Sequence, residues 1–278
     1  ALEALLEGQS PRELGIRGVG IGFGGPVDFF TGRVRLSHHV PGWEGVPLRS
    51  LMHQRLGVPV VVDNDANAAT LGELHFGAGC GLKDLVYINI GTGIGGGLVL
   101  GGRLHRGIST AAGEVGHTIV QPGGPLCTCG HRGCLEALCA GPAIARRARA
   151  LAHADPRLGA VMTAKAGGNP DQISAEIAFD AAREGDAGGR RVLEETVEYL
   201  AIAVGNLLNL LNPQAVVLGG GVAEAGDLLL LPLRERVREY CMEPPYRAAR
   251  ILAAQNGYDA GVLGAVALAM EAEDVSGA

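Results

Sequence analysis

His117, Cys127, Cys129 and Cys134 place one imidazole and three thiols within eighteen residues, with Glu114 and Glu136 on either side. Zinc takes four nitrogen or sulfur ligands in a tetrahedron, and four protein ligands make a closed, structural site with no position left for water. That argues against a zinc hydrolase. The loop between these ligands carries Pro122, Gly123, Gly124, Pro125, Gly130 and Gly133 and few apolar residues. Such a segment needs another means of staying folded, and a metal crosslink supplies one. The spacing C-x-C-x4-C beside glycine and proline has no core-packing logic. The remaining thiols, Cys80, Cys139 and Cys241, are expected to be small buried residues, with Cys80, in a glycine-rich loop, open to partial exposure. With the loop held, Glu114 and Glu136 become rigid carboxylates, each able to accept from two hydroxyls, which suits a polyol.

Two other stretches carry chemistry. Gly91-Thr92-Gly93-Ile94-Gly95-Gly96-Gly97 contains G-x-G-x-x-G at 91, 93 and 96. A dinucleotide fingerprint must pass from strand into helix, so that the helix N-terminus meets the pyrophosphate. Here a strand at 85–90 passes through the glycines into another strand at 97–100, so the motif is a hairpin tip. Its backbone N–H groups and the Thr92 hydroxyl can still cradle a phosphate, and five glycines in seven residues exceed what a turn needs. Gly219-Gly220-Gly221, after a short strand, is a second place where backbone could approach a nucleotide. Asp63-Asn64-Asp65 joins a buried strand to a helix. Asp65 there is either a helix N-cap, worth about 1 kcal/mol, or a base accepting a hydroxyl proton with Asn64 bonding a neighbouring hydroxyl. Strand ends are where α/β sheets place ligands, and one Asp could fill both roles.

The elements that must position these residues follow from the apolar pattern. The chain has 278 residues, 47% of them hydrophobic, enough for one large domain or two medium ones. Glycine is abundant at 45 residues and aromatics are scarce at 4%, which fits tight turns and close backbone approach rather than disorder. The net charge of -6 has nothing of a basic nucleic-acid footprint, and the run Arg146-Arg147-Ala148-Arg149 is expected on a solvated helix face. No apolar stretch reaches membrane-spanning length, and the opening residues are no signal peptide. Thiols arranged as metal ligands imply a reducing compartment, hence the cytoplasm.

Residues 1–8 read as the tail of an amphipathic helix. Strands are expected at 18–23, 58–62, 85–90, 97–100 and 215–218, and helices at 48–56, 66–74, 143–152, 174–184, 189–211, 228–240 and 260–272. Ser174 is a candidate cap, with Ile177 and Ala178 facing inward. The mixture is an α/β pattern, with a boundary near Gly81 to Asp84. The domains expected are 1–84, a small α/β unit against which the helix at about 260–273 packs back, and 85–259, a large α/β unit carrying the cysteine loop.

Taken together the chain resembles the ROK family of sugar kinases and sugar-responsive repressors. The resemblance runs from about Gly18 to Ala269. It rests on Gly24-Gly25-Pro26-Val27-Asp28, Val40-Pro41-Gly42-Trp43, Asn64-Asp65-Ala66-Asn67-Ala68-Ala69, the loop Ile90 to Gly97, Gly113-Glu114-Val115-Gly116-His117, the cysteine cluster through Glu136, and Leu211-Asn212-Pro213 with Gly219-Gly220-Gly221. It implies the actin/hexokinase-like (ribonuclease H-like) fold, two α/β domains with a cleft between them, and most closely a glucokinase-like member. It further implies that Asp65 is the catalytic base. Asn64, Glu114, His117 and Glu136 would bind sugar hydroxyls beside the backbone of Gly25. His117 would also ligate structural Zn2+ with Cys127, Cys129 and Cys134. Gly91, Thr92 and Gly93 would hold the phosphates of ATP, with Gly219 and Gly220 along the adenosine and Mg2+ accompanying the nucleotide. A homodimer or homotetramer is implied as well.

One departure matters. The family's first phosphate loop, Asp-x-Gly-Gly-Thr on an opening hairpin, would precede Ala1, as would the first strands of the small domain. The expectation for the chain as given is that it folds and holds zinc, is a poor kinase, and leaves a sheet edge unpaired. The reaction expected of the intact protein is phosphoryl transfer from MgATP to a hexose, glucose at its 6-hydroxyl. The alternatives are a sugar-binding repressor without its DNA-binding module and a kinase of an N-acetylated aminosugar such as N-acetylmannosamine.

Overall fold

A computed structural model describes residues 6, 8–37 and 41–276, with side chains to 271. The helix tail expected at 1–8 falls mostly outside the described residues, and so does Val40. In chain order the elements are β1 (Val19–Phe23), β2 (Val27–Asp28), β3 (Arg33–Val34), α1 (Leu48–Leu56), β4 (Val60–Asn64), α2 (Asp65–Phe76), β5 (Leu85–Ile90), β6 (Ile94–Leu100) and β7 (Arg103–Leu104). After a 3-10 turn at Val115–His117 follow α3 (Leu135–Cys139), α4 (Gly141–Ala154), α5 (Ala160–Lys165), α6 (Ala175–Arg183), α7 (Ala187–Leu211), β8 (Ala215–Gly219), α8 (Asp227–Val237), α9 (Glu243–Ala248), β9 (Arg250–Ala253) and α10 (Ala260–Ser276). Among the described residues no helix is long and apolar enough to cross a membrane. The chain divides into two units, one of Ala1–Lys83, Gly97–Gly113 and Gln255–Ala278, the other of Asp84–Gly96 and Glu114–Ala254.

In the first unit β1 and β4 pair in parallel, with Val19 opposite Val60 and Phe23 opposite Asn64. β4 starts two residues later than its apolar run suggests. Pro59 has no N–H to give a ladder, and it contributes only its carbonyl, to the Val19 N–H. The hairpin of β2 and β3 was not anticipated, being two residues on each side. Val27, Val34, Leu48, Val60 and Val62 form the core here, with Val19, Ile21, Phe23, Trp43 and Met52 packed on it. Helix α2 is buried from Ala66 through Leu74, so it shows no amphipathic stripe. Its neighbour α10 comes to backbone contact. A methyl group at Gly20 would stand 1.8 Å from the Ala265 carbonyl oxygen, and one at Gly264 2.2 Å from that of Ala68. Part of the glycine excess thus serves close packing of α10 on β1 and α2.

Glu73 on α2 is fully buried. Its carboxylate accepts from the N–H groups of Ala78 at 2.8 Å, Gln255 at 3.1 Å and Asn256 at 2.8 Å. These bonds compensate its desolvation, and they fasten the chain where it enters α10.

In the second unit the strand order is β6-β5-β8-β9, with β5, β8 and β9 parallel. β5 and β8 are buried almost throughout, the continuous apolar run of strands covered on both faces. β9 and the short helices α3, α5 and α9 were missed because four to six residues carry too little period. Ser174 caps α6 by accepting the Ile177 N–H at 3.1 Å; Ala178 is buried and Ile177 half-buried. The expected solvated arginine face is corrected. Arg146 is exposed, but Arg147 donates to Leu138 O and Thr196 Oγ1 and stands 5.7 Å over the Tyr199 ring, and Arg149 donates to Ile173 O. Burial lowers the Arg147 pKa, which neighbouring Cys139 and Glu195 partly offset. Cys139 is buried as expected and its thiol is pushed up to about 12 by that burial. Cys241 is only half-buried and Cys80 is exposed, so burial holds for Cys139 alone of the three.

Replacing Glu73 with Ala removes the carboxylate that accepts from three backbone N–H groups, hydrogen bonds to a charged group being worth about 1.5–3 kcal/mol each. We expect a loss of about 3 kcal/mol or more of unfolding free energy in urea titrations, and expect Glu73→Gln to recover part of it.

Candidate active site

At the β4–α2 junction Asn64, not Asp65, is the N-cap. Asn64 Oδ1 accepts from Ala66 N at 2.9 Å and Asn67 N at 3.3 Å. Asp65 is therefore the first helical residue, and its Oδ1 also accepts from Ala66 N, at 2.9 Å. It is exposed, whereas the nine residues that follow it are buried. Asn64 Nδ2 donates to Gly25 O at 3.3 Å, so Gly25, Asn64 and Asp65 meet, and Asn64 keeps one amide N–H for another acceptor. Asp65 borders a cavity of about 440 Å³ with Gly20, Gly22, Ala68, Tyr258 and Val262.

In the second unit the glycine loop is a hairpin tip, as its strand-to-strand context requires, and β6 begins at Ile94 rather than Gly97. Gly91 N donates to Gly93 O at 2.9 Å, and Thr92 is exposed. The loop meets the second glycine turn. Gly220 has φ +84, a methyl group there would lie 2.5 Å from Ile90 O, and Val222 N donates to that same oxygen at 3.0 Å. Gly219 and Gly220 thus sit at the end of β5, where the first loop begins. Sequence reasoning missed a third participant: Gly141 N, at the start of α4, donates to Gly91 O at 2.8 Å. Gly-Pro ahead of an apolar period was the available signal. A helix N-terminus beside two glycine turns is an anion-binding arrangement.

Glu136, on α3, ties this loop to the cysteine segment. Its Oε2 accepts from Ile94 N at 3.0 Å and its Oε1 from Thr128 Oγ1 at 3.0 Å. A methyl group at Gly93 would stand 2.8 Å from Oε2, so a side chain there would displace the Glu136 carboxylate. Glu114 is exposed and opens the 3-10 turn that carries His117, half-buried. The four proposed ligand residues come together. Their donor atoms all lie within 4.8 Å of one another, His117 Nδ1 is 3.6 Å from Cys127 Sγ, and Cys129 Sγ is 3.6 Å from Cys134 Sγ. Cys127 and Cys134 are buried and Cys129 is exposed. Hydrogen bonds from the backbone and side chain of His131 pull the Cys129 thiol down to about 6, while burial pushes Cys134 up to about 12.

Gly93→Ala should push Glu136 off the Ile94 amide. A charge-assisted bond of about 1.5–3 kcal/mol would be lost, and amide hydrogen exchange at Ile94 should speed up at least about tenfold; unchanged protection would contradict the tie.

The ROK family model matches residues 1–272. The glucokinase of Thermotoga maritima is 41% identical over 253 residues, spanning 91% of this chain and 79% of that protein. A ROK family glucokinase from Streptomyces griseus, solved with glucose and AMPPNP, superposes with a TM-score of 0.82 at 40% identity, covering 92% of this chain and 82% of its own. The xylose repressor of Caldicellulosiruptor bescii is 34% identical over 94% of this chain and 63% of its own length. The α/β fold expected from the motifs is the fold of these structures, and the chain belongs to the ROK family.

Proposed function

We propose that this protein transfers the γ-phosphoryl group of MgATP to the 6-hydroxyl of glucose, with Asp65 as base. The carrying observation is the exposed Asp65 carboxylate at the first helical position, with Asn64 as the cap before it, in a chain 41% and 40% identical to glucokinases. Asp65 takes the hydroxyl proton, the sugar oxygen bonds to the γ-phosphorus, and ADP leaves. Phosphoryl transfer has a loose transition state, so positioning and electrostatics do most of the catalysis; a placed base adds about 10²–10⁴ in rate.

Gly91, Thr92 and Gly93 hold the phosphates, and Gly219 and Gly220 lie along the adenosine. Their meeting at the end of β5, with the α4 N-terminus alongside, supports this. Asn64, Glu114, His117, Glu136 and the Gly25 backbone bind the sugar. Glu136 already accepts from Ile94 and Thr128, and each carboxylate oxygen has a second lone pair for a hydroxyl.

His117, Cys127, Cys129 and Cys134 hold a structural zinc ion. Bonds of about 2.3 Å to sulfur and 2.0 Å to nitrogen put tetrahedral donors about 3.5–3.8 Å apart, and two donor pairs already stand at 3.6 Å. The metal closes the loop and orients His117. Reduced thiols and an ATP co-substrate fit the cytoplasm, and the resemblance carries a homodimer or homotetramer.

An ADP-release assay across a panel of hexoses tests the reading. Asp65→Ala should keep glucose affinity within several-fold and lower turnover by about 10²–10⁴. Turnover retained in that variant overturns the base assignment. Sugar binding without ADP release both in this chain and in a version extended upstream with the first phosphate loop would favour a sugar-sensing role, and preference for an N-acetylated aminosugar would change the substrate.

A further inference from the structure

The turn that presents Asp65 is held from outside the β4–α2 junction. Asp63, the penultimate residue of β4, is 1% exposed. Its Oδ1 accepts from Asn64 N at 2.8 Å and from Asn67 Nδ2 at 2.9 Å. Its Oδ2 accepts from Arg106 Nε at 2.7 Å. One carboxylate thus grips the residue before the base and the residue two after it. It can do so only while its own orientation is fixed.

Arg106 supplies that orientation. It lies in the segment after β7, and its backbone carbonyl accepts from Ala112 N at 3.0 Å. Its side chain is 14% exposed and is held on three sides. Nε lies on Asp63, a terminal nitrogen donates to Glu271 Oε2 of α10 at 3.0 Å, and the guanidinium carbon stands 3.6 Å from the Phe29 ring centroid. A planar guanidinium can donate along two directions while stacking on an aromatic face; an ammonium cannot do all three. A buried carboxylate that loses its cation rotates toward water or takes up a proton. Rotation releases the Asn64 N–H and the Asn67 amide, and protonation removes the charge that strengthens both bonds.

We propose that Arg106 is a positioning residue for the phosphoryl transfer, acting through Asp63 to fix the turn that presents Asn64 and Asp65. The proposal rests on the reading of Asp65 as base. The nucleotide-binding glycines belong to other segments, so the effect falls on the sugar side of the reaction. A residue needed only for stability would lower kcat in proportion to the folded fraction and leave both KM values alone.

The test compares Arg106→Met, Arg106→Lys, Glu271→Gln and Asp65→Ala in steady-state ADP release, with the folded fraction measured by urea unfolding. Small misplacement of a reacting group can cost about 10²-fold. Arg106→Met should therefore lower kcat about 10²-fold per folded molecule and raise KM for glucose several-fold, with KM for ATP within about twofold. Arg106→Lys keeps the charge and one bond and should recover part of the loss. Glu271→Gln leaves the Asp63 and Phe29 contacts in place and should stay within about twofold of the parent. The proposal is overturned if Arg106→Met loses only its unfolded share of kcat at unchanged glucose KM, or if Lys is no better than Met. Should the Met variant not fold, the Lys variant decides: raised glucose KM at unchanged ATP KM supports the proposal, and parental values for both overturn it. Asp65→Ala separates the two claims. Full turnover in that variant sinks the base assignment, whereas an inactive Asp65→Ala beside a normal Arg106→Met sinks the positioning role alone.

Discussion

The cysteine-rich loop has almost no core of its own, and the side chains of its unit proposed to handle sugar and phosphate depend on what closes it. Its buried cluster is Cys127, Cys134 and Ala137, far too little apolar surface to offset the entropy of ordering a loop of that length. The compensation is in the donor set. Three sulfurs and one imidazole nitrogen gathered within 4.8 Å suit the proposed zinc ion, whose binding would then contribute folding energy. From that closure the structure runs outward through Glu136, which joins Thr128 of the loop to the Ile94 amide beside the glycine turn. A loop that opened would release Glu136, and with it the shape of the hairpin tip.

Buried carboxylates organise the other unit. Glu73 and Asp63 stand at opposite ends of the same stretch, one fastening the entry to α10 through backbone N–H groups, the other fastening the β4–α2 turn through Asn64, Asn67 and Arg106. Each is expensive to desolvate and each has both oxygens engaged. Their neighbour Asp65 is the carboxylate left exposed. Two acids are buried and one lies at the surface, and the difference comes from which groups the fold places around each.

Much of this was legible in the residues. The ligand quartet, the strand-to-strand context that makes Gly91 to Gly97 a hairpin tip, and the long buried strands all follow from spacing and period. The cap stayed open between alternatives because Asn64 and Asp65 are adjacent and both are good caps; only backbone geometry tells which one turns its side chain inward. Arg147 was misplaced because a basic run at helical spacing looks the same whether it meets water or the carbonyl end of a preceding helix. Arg106 and the Glu136–Ile94 bond could not be seen at all, since each partner lies more than forty residues away in the chain. Short elements such as β9 were invisible for lack of period.

The proposed zinc would close the loop that sets the two carboxylates proposed to bind the sugar. The direct measurement is glucose affinity by titration calorimetry on one preparation as purified, stripped with a chelator, and reloaded with zinc, with metal content determined each time. We expect one zinc per chain, at least about a tenfold loss of affinity on stripping, and recovery on reloading. Unchanged glucose binding in the metal-free protein would contradict it.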